Sequence, residues 1–229
     1  MKWLRQRKHR LLLAALLLAQ LLQPFAAVDL EVVGFFMLLA VFLAVFEKRR
    51  EQVAAIVIGL PAIAVNVLGI IGPESGRFAC MIAFHAMMIG FMGFAVVSIL
   101  LDVFRSTRIQ LDHVIGAFSG FILAAVAWGN LYLLIYLVDP NAYHIEYYHQ
   151  VDDVQMRRFL FNHLSFASLT PLDHEGIMPI APYVRTLQWF EALFGQFYFA
   201  VFIGQLVGLT MVHSSAAKTS SPPTIRPHA

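Results

Sequence analysis

Long apolar runs dominate this chain and set its predicted architecture. Six of them approach or exceed the length needed to cross the ~30 Å hydrocarbon core of a bilayer. They cover residues 11–28, 32–46, 53–71, 78–101, 114–138 and 187–212. The pattern predicts an all-α integral membrane protein with six transmembrane helices.

A seventh, shorter element is predicted between the last two runs. Residues 152–170 have the pattern of a helix, and Asp152 with Gln155 three positions later resembles a capping box. Its apolar part is too short to span a bilayer, and Pro171 biases Thr170 away from helical geometry. We therefore expect a re-entrant half-helix. Non-helical backbone at membrane depth needs protein or water around it, so residues 171–176 should line a cavity or pore mouth.

Composition supports a membrane location and leaves little room for a soluble domain. Hydrophobic residues make up 59% of the 229 positions and charged residues only 13%. We expect membrane lipid as the surrounding partner and no nucleic-acid partner. The single cysteine, Cys80, excludes an internal disulfide.

Lysine and arginine cluster at alternate connections between the predicted spans, which orients them. The basic connections, predicted to be cytoplasmic, carry Lys2, Arg5, Arg7, Lys8, Arg10, Lys48, Arg49, Arg50, Arg105, Arg108, Lys218 and Arg226. The opposite connections are rich in aspartate and glutamate. Both termini are then predicted to be cytoplasmic, with the half-helix on the outer side. Residues 1–19 could instead be a secretory signal, which would not change the orientation of the later spans.

The first four spans form a predicted membrane module over residues 1–110. A voltage sensor would carry Arg or Lys at every third position of its fourth helix, and residues 78–101 contain neither. The module is therefore not expected to sense voltage by that route. Residues 111–212 form a second predicted module, and residues 213–229 a disordered cytoplasmic tail.

Residues 165–182 resemble the pore loop of the potassium-channel superfamily, whose pattern is Ser-Phe-x-Thr-Leu-Thr-Thr-Val-Gly-Tyr-Gly-Asp-Ile-x-Pro. The chain matches that pattern at Ser165, Phe166, Leu169, Thr170, Ile177 and Pro179. Where the family has its filter, Thr-Val-Gly-Tyr-Gly, this chain has Pro171, Leu172, Asp173, His174 and Glu175. The frame of a cation pore is kept, and the potassium-coordinating residues are absent.

The resemblance extends over residues 105–209 and implies a two-helix pore module: outer helix, pore helix, filter-like loop and inner helix. Further matching positions are Trp128, Pro140, Glu191-Ala192, Gly195-Gln196 and Tyr198, which are similar to prokaryotic six-helix members. Membership would imply a homotetramer in a bacterial cytoplasmic (inner) membrane. It would also give voltage-gated-like channel architecture without a charged sensor.

The altered filter argues against a potassium-type carbonyl cage. The family's filter glycines adopt left-handed backbone, where another residue costs roughly 1–2 kcal/mol. Asp173 and Glu175 replace both glycines. In four subunits the strain would reach roughly 8–16 kcal/mol, comparable with the whole stability of a domain.

The substitutions offer carboxylates instead. In extended backbone Asp173 and Glu175 point to the same side, so fourfold symmetry would direct them toward one axis. The sequence predicts a weakly selective or divalent-preferring cation pathway, with these two residues selecting the ion. No cofactor is expected apart from a permeant or bound cation such as Ca²⁺ or Na⁺. The remaining positions of the filter-like loop are Thr170, Pro171, Leu172, His174 and Gly176.

Glu191 is predicted to support the pore helix. It lies in an apolar span, where a carboxylate without a partner is costly. We expect it to pair with Arg185 or to hydrogen-bond to Ser168. Gly195 and Gly204 are either gating hinges or packing positions.

Three alternatives remain open at this level. Asp173 and Glu175 could simply cap a loop in external water, and the chain could be a non-conducting, channel-like regulatory or sensor subunit. His144, Glu146 and His149 could hold an external metal ion, although their spacing fits no zinc pattern and a solvated loop explains them equally well. A membrane enzyme is not expected, because the chain contains no hydrolase, zinc-protease or phosphate-loop motif.

Overall fold

The computed structural model of the chain describes residues 8–23, 39–42, 45–46, 49–105, 111–146, 154–170, 172 and 176–219. These residues are mostly helical. The helices are α1 (Lys8–Leu22), α2 (Arg49–Ile71), α3 (Glu74–Arg105), α4 (Leu111–Val138), α5 (Val154–Leu169) and α6 (Pro182–Thr219). A 3₁₀ turn (Pro140–Ala142) leads into strand β1 (Tyr143–Ile145), and strand β2 (Ile177–Pro179) lies between α5 and α6.

The chain is a membrane protein with three helices, in its described part, that are long and apolar enough to cross a bilayer. These segments are Arg49–Ile71, Glu74–Val103 and Val114–Val138. They contain the runs predicted at 53–71, 78–101 and 114–138, so those three predictions are confirmed as helices of membrane-crossing length.

The other three predicted runs correspond only in part to helices of the structure. The first, 11–28, overlaps α1, an apolar helix of 15 residues that ends at Leu22, and its residues 24–28 lie outside the described part. The second, 32–46, lies largely outside the described residues. The last is contained in α6, which begins five residues earlier than predicted and continues to Thr219. The predicted disordered tail therefore starts in helix, and its residues 220–229 lie outside the described part.

One apolar core joins α1, α3 and α4. Leu16, Met92 and Leu123 are fully or almost fully buried in it. A polar contact crosses the same core: His85 on α3 and Asn130 on α4 are hydrogen-bonded at 2.9 Å. Interhelical polar bonds of this kind add specificity to helix packing in a membrane.

The short helix α5 runs antiparallel to α4, from the C-terminal end of α4 to its middle. Near the start of α5, the Arg157 guanidinium lies 5.9 Å from the centre of the Tyr136 ring, and midway along α5 the ring of Phe161 lies 5.1 Å from the same ring. One turn on, Ser165 Oγ is 2.7 Å from the carbonyl oxygen of Ala125. Ala125 is about 20 Å along the helix axis from the C-terminal end of α4. The last residue of α5, Leu169, packs in a small core with Ala125.

Helix α6 begins at the same end and returns alongside both helices. The Tyr183 hydroxyl donates to Asp139 Oδ2 at 2.8 Å, next to the end of α4. Two turns later Glu191 meets Tyr132, and further on the Tyr198 hydroxyl donates to the carbonyl oxygen of Ala117. α6 is therefore antiparallel to α4 and parallel to α5, which lies between them.

A two-stranded antiparallel ribbon closes this end of the molecule. β1 and β2 pair with Tyr143 opposite Pro179 and Ile145 opposite Ile177. Ile177 is buried in the same apolar cluster as Tyr132. The chain thus leaves α5 beside the middle of α4 and is back at the end of α4 by Ile177.

Candidate functional site

The described ends of the filter-like loop are held by local hydrogen bonds. Thr170 Oγ1 donates to the Phe166 carbonyl oxygen at 2.6 Å, and the Leu172 amide donates to the Thr170 carbonyl oxygen at 2.7 Å. Leu172 itself is exposed. Pro171, Asp173, His174 and Glu175 lie outside the described residues, so the predicted ion-selecting role stays a prediction.

Gly176 ends the loop in a conformation that favours glycine. Its φ of 83° lies in the left-handed region, and it is the only residue in the described part with a positive φ. Its carbonyl oxygen accepts a hydrogen bond from the Glu146 amide at 3.1 Å, which joins the end of the loop to the end of β1. In the alignment with the potassium-channel pattern, Gly176 lies one position after the filter. Nothing in that alignment predicts that Gly176 ends the loop in left-handed backbone.

A buried carboxyl group, that of Glu191, lies against α5. Glu191 of α6 is 0% exposed. The Tyr132 hydroxyl of α4 contacts its Oε2 at 2.6 Å, and Ser165 Oγ of α5 contacts its Oε1 at 2.5 Å. One side chain therefore connects all three helices of the predicted pore module.

A second serine of α5, Ser168, is hydrogen-bonded to α5 itself and to α6. Ser168 donates to the Leu164 carbonyl oxygen at 2.8 Å and receives a bond from Gln188 Nε2 at 3.0 Å, and its predicted bond to Glu191 stays a prediction. Arg185, the other predicted partner of Glu191, donates from Nε to the Pro179 carbonyl oxygen at 3.0 Å instead. This bond holds the start of α6 against β2. Arg185 does not pair with Glu191 because it lies almost two helical turns before it.

Glycine allows the three helices to approach closely. A Cβ atom at Gly195 would lie 2.5 Å from the Leu169 carbonyl oxygen, and one at Gly129 would lie 3.0 Å from the Asn162 Cα. Real Cβ atoms essentially never make a contact as short as the first, and the second is tighter than nearly all of them. Gly195 is therefore a packing position against the end of α5. Gly204 has nothing within 4 Å of its Cβ position and stays compatible with a hinge.

The predicted external metal site lies only partly within the described part of the chain, so it stays a prediction. His144 and Glu146 are both exposed, on and directly after β1. Among the residues described, no three His, Cys, Asp or Glu side chains are grouped so as to hold a metal ion. His149, the third predicted ligand, lies outside that part.

Two tyrosines act as hydroxyl donors at the end of the molecule where α4 ends and α6 begins. Burial raises the pKa of Tyr143, whose hydroxyl donates to the Tyr132 carbonyl oxygen at 3.2 Å. The hydrogen bond to Asp139 raises the pKa of Tyr183. Both phenols therefore keep their protons well above neutral pH.

Sequence reasoning did not find Tyr132 or Ser165 as partners of the buried carboxyl group. One signal was present, because Trp128, Tyr132 and Tyr136 recur every four residues and so share one face of α4. That aromatic face packs toward α5 and the ribbon. The choice of Tyr132 as the hydrogen-bonding member depends on the approach of α6, which the spacing does not show.

Comparisons with protein-family models, with curated proteins and with solved structures found no match.

Replacing Tyr132 by phenylalanine is expected to destabilise the protein by about 1–3 kcal/mol, because a buried carboxyl oxygen would lose its donor. Thermal melting in detergent measures the effect. Tyr183→Phe removes an exposed hydrogen bond and should change stability by less than about 0.5 kcal/mol. Equal losses in the two variants would contradict the importance of the buried bond.

Proposed function

We propose that this chain is a subunit of a tetrameric cation channel related to the potassium-channel superfamily, with a carboxylate filter in place of the carbonyl cage. The pathway is weakly selective or prefers divalent cations. Asp173 and Glu175 select the ion. The observation that carries the proposal is the position of α5 between α4 and α6, ending beside the middle of a helix that can cross a membrane.

Helix length supports a half-membrane role for α5. With 16 residues it is about 24 Å long, which is less than the ~30 Å hydrocarbon core. Arg157, in its first turn, lies over the Tyr136 ring near the end of α4, and its last residue lies beside Ala125. If α4 spans the bilayer, α5 enters from one side and stops near the middle. The next described stretch, β2, is back on the side of entry.

Electrostatics favour a cation at the end of α5. The carboxyl end of a helix carries a partial negative charge, and the loop that follows contains two acidic residues, Asp173 and Glu175. Rings of carboxylates attract cations in channels. Oxygen ligands at high charge density suit Ca²⁺, and Na⁺ is the monovalent candidate.

The proposal includes a topology for the whole chain. Six spans cross a bacterial inner membrane, α5 re-enters from the outer side, and both termini are cytoplasmic. This topology is supported by the alternation of basic and acidic connections. Four subunits would place their loops around one axis.

Flux through reconstituted protein tests this function. Liposomes containing the full chain should take up Na⁺, K⁺ and Ca²⁺, with no strong preference for K⁺, while protein-free liposomes should not. Uptake of K⁺ alone would contradict the carboxylate filter. No uptake of any cation, from protein that is folded by its melting curve, would favour the non-conducting regulatory subunit instead.

A further inference from the structure

We infer that Glu191 is a carboxylic acid at neutral pH, with its proton on Oε1 facing Ser165, and that this proton fixes the position of α5. Glu191 is then a positioning residue for the loop that follows α5. The inference concerns the contacts among three helices and holds whether or not a cation passes.

Ser165 has one hydroxyl proton and two close oxygen neighbours. Its Oγ lies 2.7 Å from the Ala125 carbonyl oxygen and 2.5 Å from Glu191 Oε1. A hydroxyl group has one proton to donate, and a backbone carbonyl oxygen has none. The proton between Ser165 and Ala125 must therefore come from Ser165. The proton between Ser165 and Glu191 must then come from Glu191.

The second carboxyl oxygen fits this assignment. Oε2 receives the Tyr132 hydroxyl at 2.6 Å, as the carbonyl oxygen of a carboxylic acid would. The donors then point one way along a chain, from Tyr132 to Glu191, from Glu191 to Ser165, and from Ser165 to the Ala125 carbonyl oxygen. The chain starts and ends on α4 and passes through α6 and α5.

The ionised form would meet two penalties. Ser165 would have to turn its proton to the carboxylate, which leaves two oxygen atoms 2.7 Å apart with no proton between them. A fully buried carboxylate would also lack a cation, because the groups that bond to Glu191 in the described part of the chain are hydroxyls. A buried charge without such a partner is strongly disfavoured.

The proton matters for the loop because of where Ser165 lies. It is one helical turn before Leu169, whose carbonyl oxygen rests against Gly195. The bond from Glu191 to Ser165 and the close approach at Gly195 both fix α5 against α6. Together they set how far the end of α5 reaches along α4, and hence where the loop begins.

Infrared difference spectroscopy on the full chain in lipid tests the protonation state. The chain has 14 aspartate and glutamate residues, so the signal is isolated by subtracting the spectrum of Glu191→Gln from that of the wild type. At neutral pH the difference should contain the carbonyl stretch of a protonated carboxyl group. Loss of a carboxylate stretch instead would overturn the inference. Glu74→Gln is the matched control, since Glu74 is 91% exposed and its difference should show a carboxylate.

Stability of two variants tests the positioning role. Glu191→Gln should keep the wild-type melting temperature, because its amide group can donate to Ser165 and accept from Tyr132. Glu191→Met has similar volume and no hydrogen bonds, and should melt at a lower temperature. Equal melting of Met and wild type, or an equal fall for Gln and Met, would overturn the role.

The infrared spectrum of Ser165→Ala provides a test if the Glu191 variants do not fold. Ser165→Ala leaves the carboxyl group in place and removes its acceptor. The protonated-carboxyl band should then shift relative to the wild type. An unshifted band would overturn the assignment of that proton to Ser165.

Discussion

Alanine at Gly195 is expected to destabilise the protein by about 1–3 kcal/mol. The added Cβ would lie 2.5 Å from the Leu169 carbonyl oxygen and 3.2 Å from the Leu169 Cα. Both are backbone atoms, so no side-chain rotation relieves the contact. Either α5 or α6 must shift, and that shift also strains the hydrogen bond between Glu191 and Ser165. Thermal melting in detergent, or the yield of folded protein, measures the loss.

Gly204→Ala is the control within the same helix. Nothing lies within 4 Å of its Cβ position. Alanine has a higher helix propensity than glycine by roughly 1 kcal/mol, so this variant should be as stable as the wild type or slightly more stable. If both alanine variants melt at the same temperature, the close approach of α6 to the end of α5 is not what glycine provides at 195.

Neutralising the loop, with Asp173→Asn and Glu175→Gln together, should lower cation flux at least tenfold, and Ca²⁺ flux most. The replacements keep side-chain volume and remove eight negative charges from a tetramer. At an effective dielectric of 20, two unit charges 4 Å apart interact by about 4 kcal/mol. A tenfold change needs only about 1.4 kcal/mol, so losing these charges is ample.

The matched control for this variant removes a carboxylate elsewhere on the predicted outer side. Glu74 is 91% exposed and lies at the start of α3, so Glu74→Gln should leave flux unchanged. Wild-type flux in the doubly neutralised loop would show that Asp173 and Glu175 only cap a solvated loop. Isotope uptake into liposomes at matched protein content gives the comparison.

The long helices could be predicted because the bilayer leaves few choices. A chain in hydrocarbon must satisfy its backbone bonds internally, so the apolar runs at 53–71, 78–101 and 114–138 become helices. Helix ends were harder to place. α6 begins at Pro182, before its apolar run, because proline is well tolerated in the first turn of a helix.

The short helix could be predicted because its apolar part is brief and proline follows it. The observed bounds, Val154–Leu169, lie within two residues of the predicted 152–170. The predicted cap at Asp152 lies outside the described residues. The resemblance at Ser165 indicated where this helix should sit, and no comparison with known proteins tests that family.

The observed partners of Glu191 could not be predicted. Ser168 was expected, and that bond stays a prediction, while Tyr132 is 59 residues away and meets Glu191 only once α4 and α6 are antiparallel. Arg185 was the other expected partner, and it bonds to the backbone of β2 instead. From the sequence, Gly195 fitted a hinge and a packing position equally well. The short distance to Leu169, which identifies it as a packing position, is known only from the structure.

One measurement bears most directly on the claim that the loop after α5 lines a cation pathway. The chain has a single cysteine, so Cys80→Ala with Leu172→Cys places one thiol in the loop and keeps both carboxylates. A bulky, membrane-impermeant cationic thiol reagent is added outside liposomes that show flux, and uptake is measured as labelling proceeds. Loss of flux in step with labelling is the predicted result. Complete labelling with unchanged flux would contradict the account.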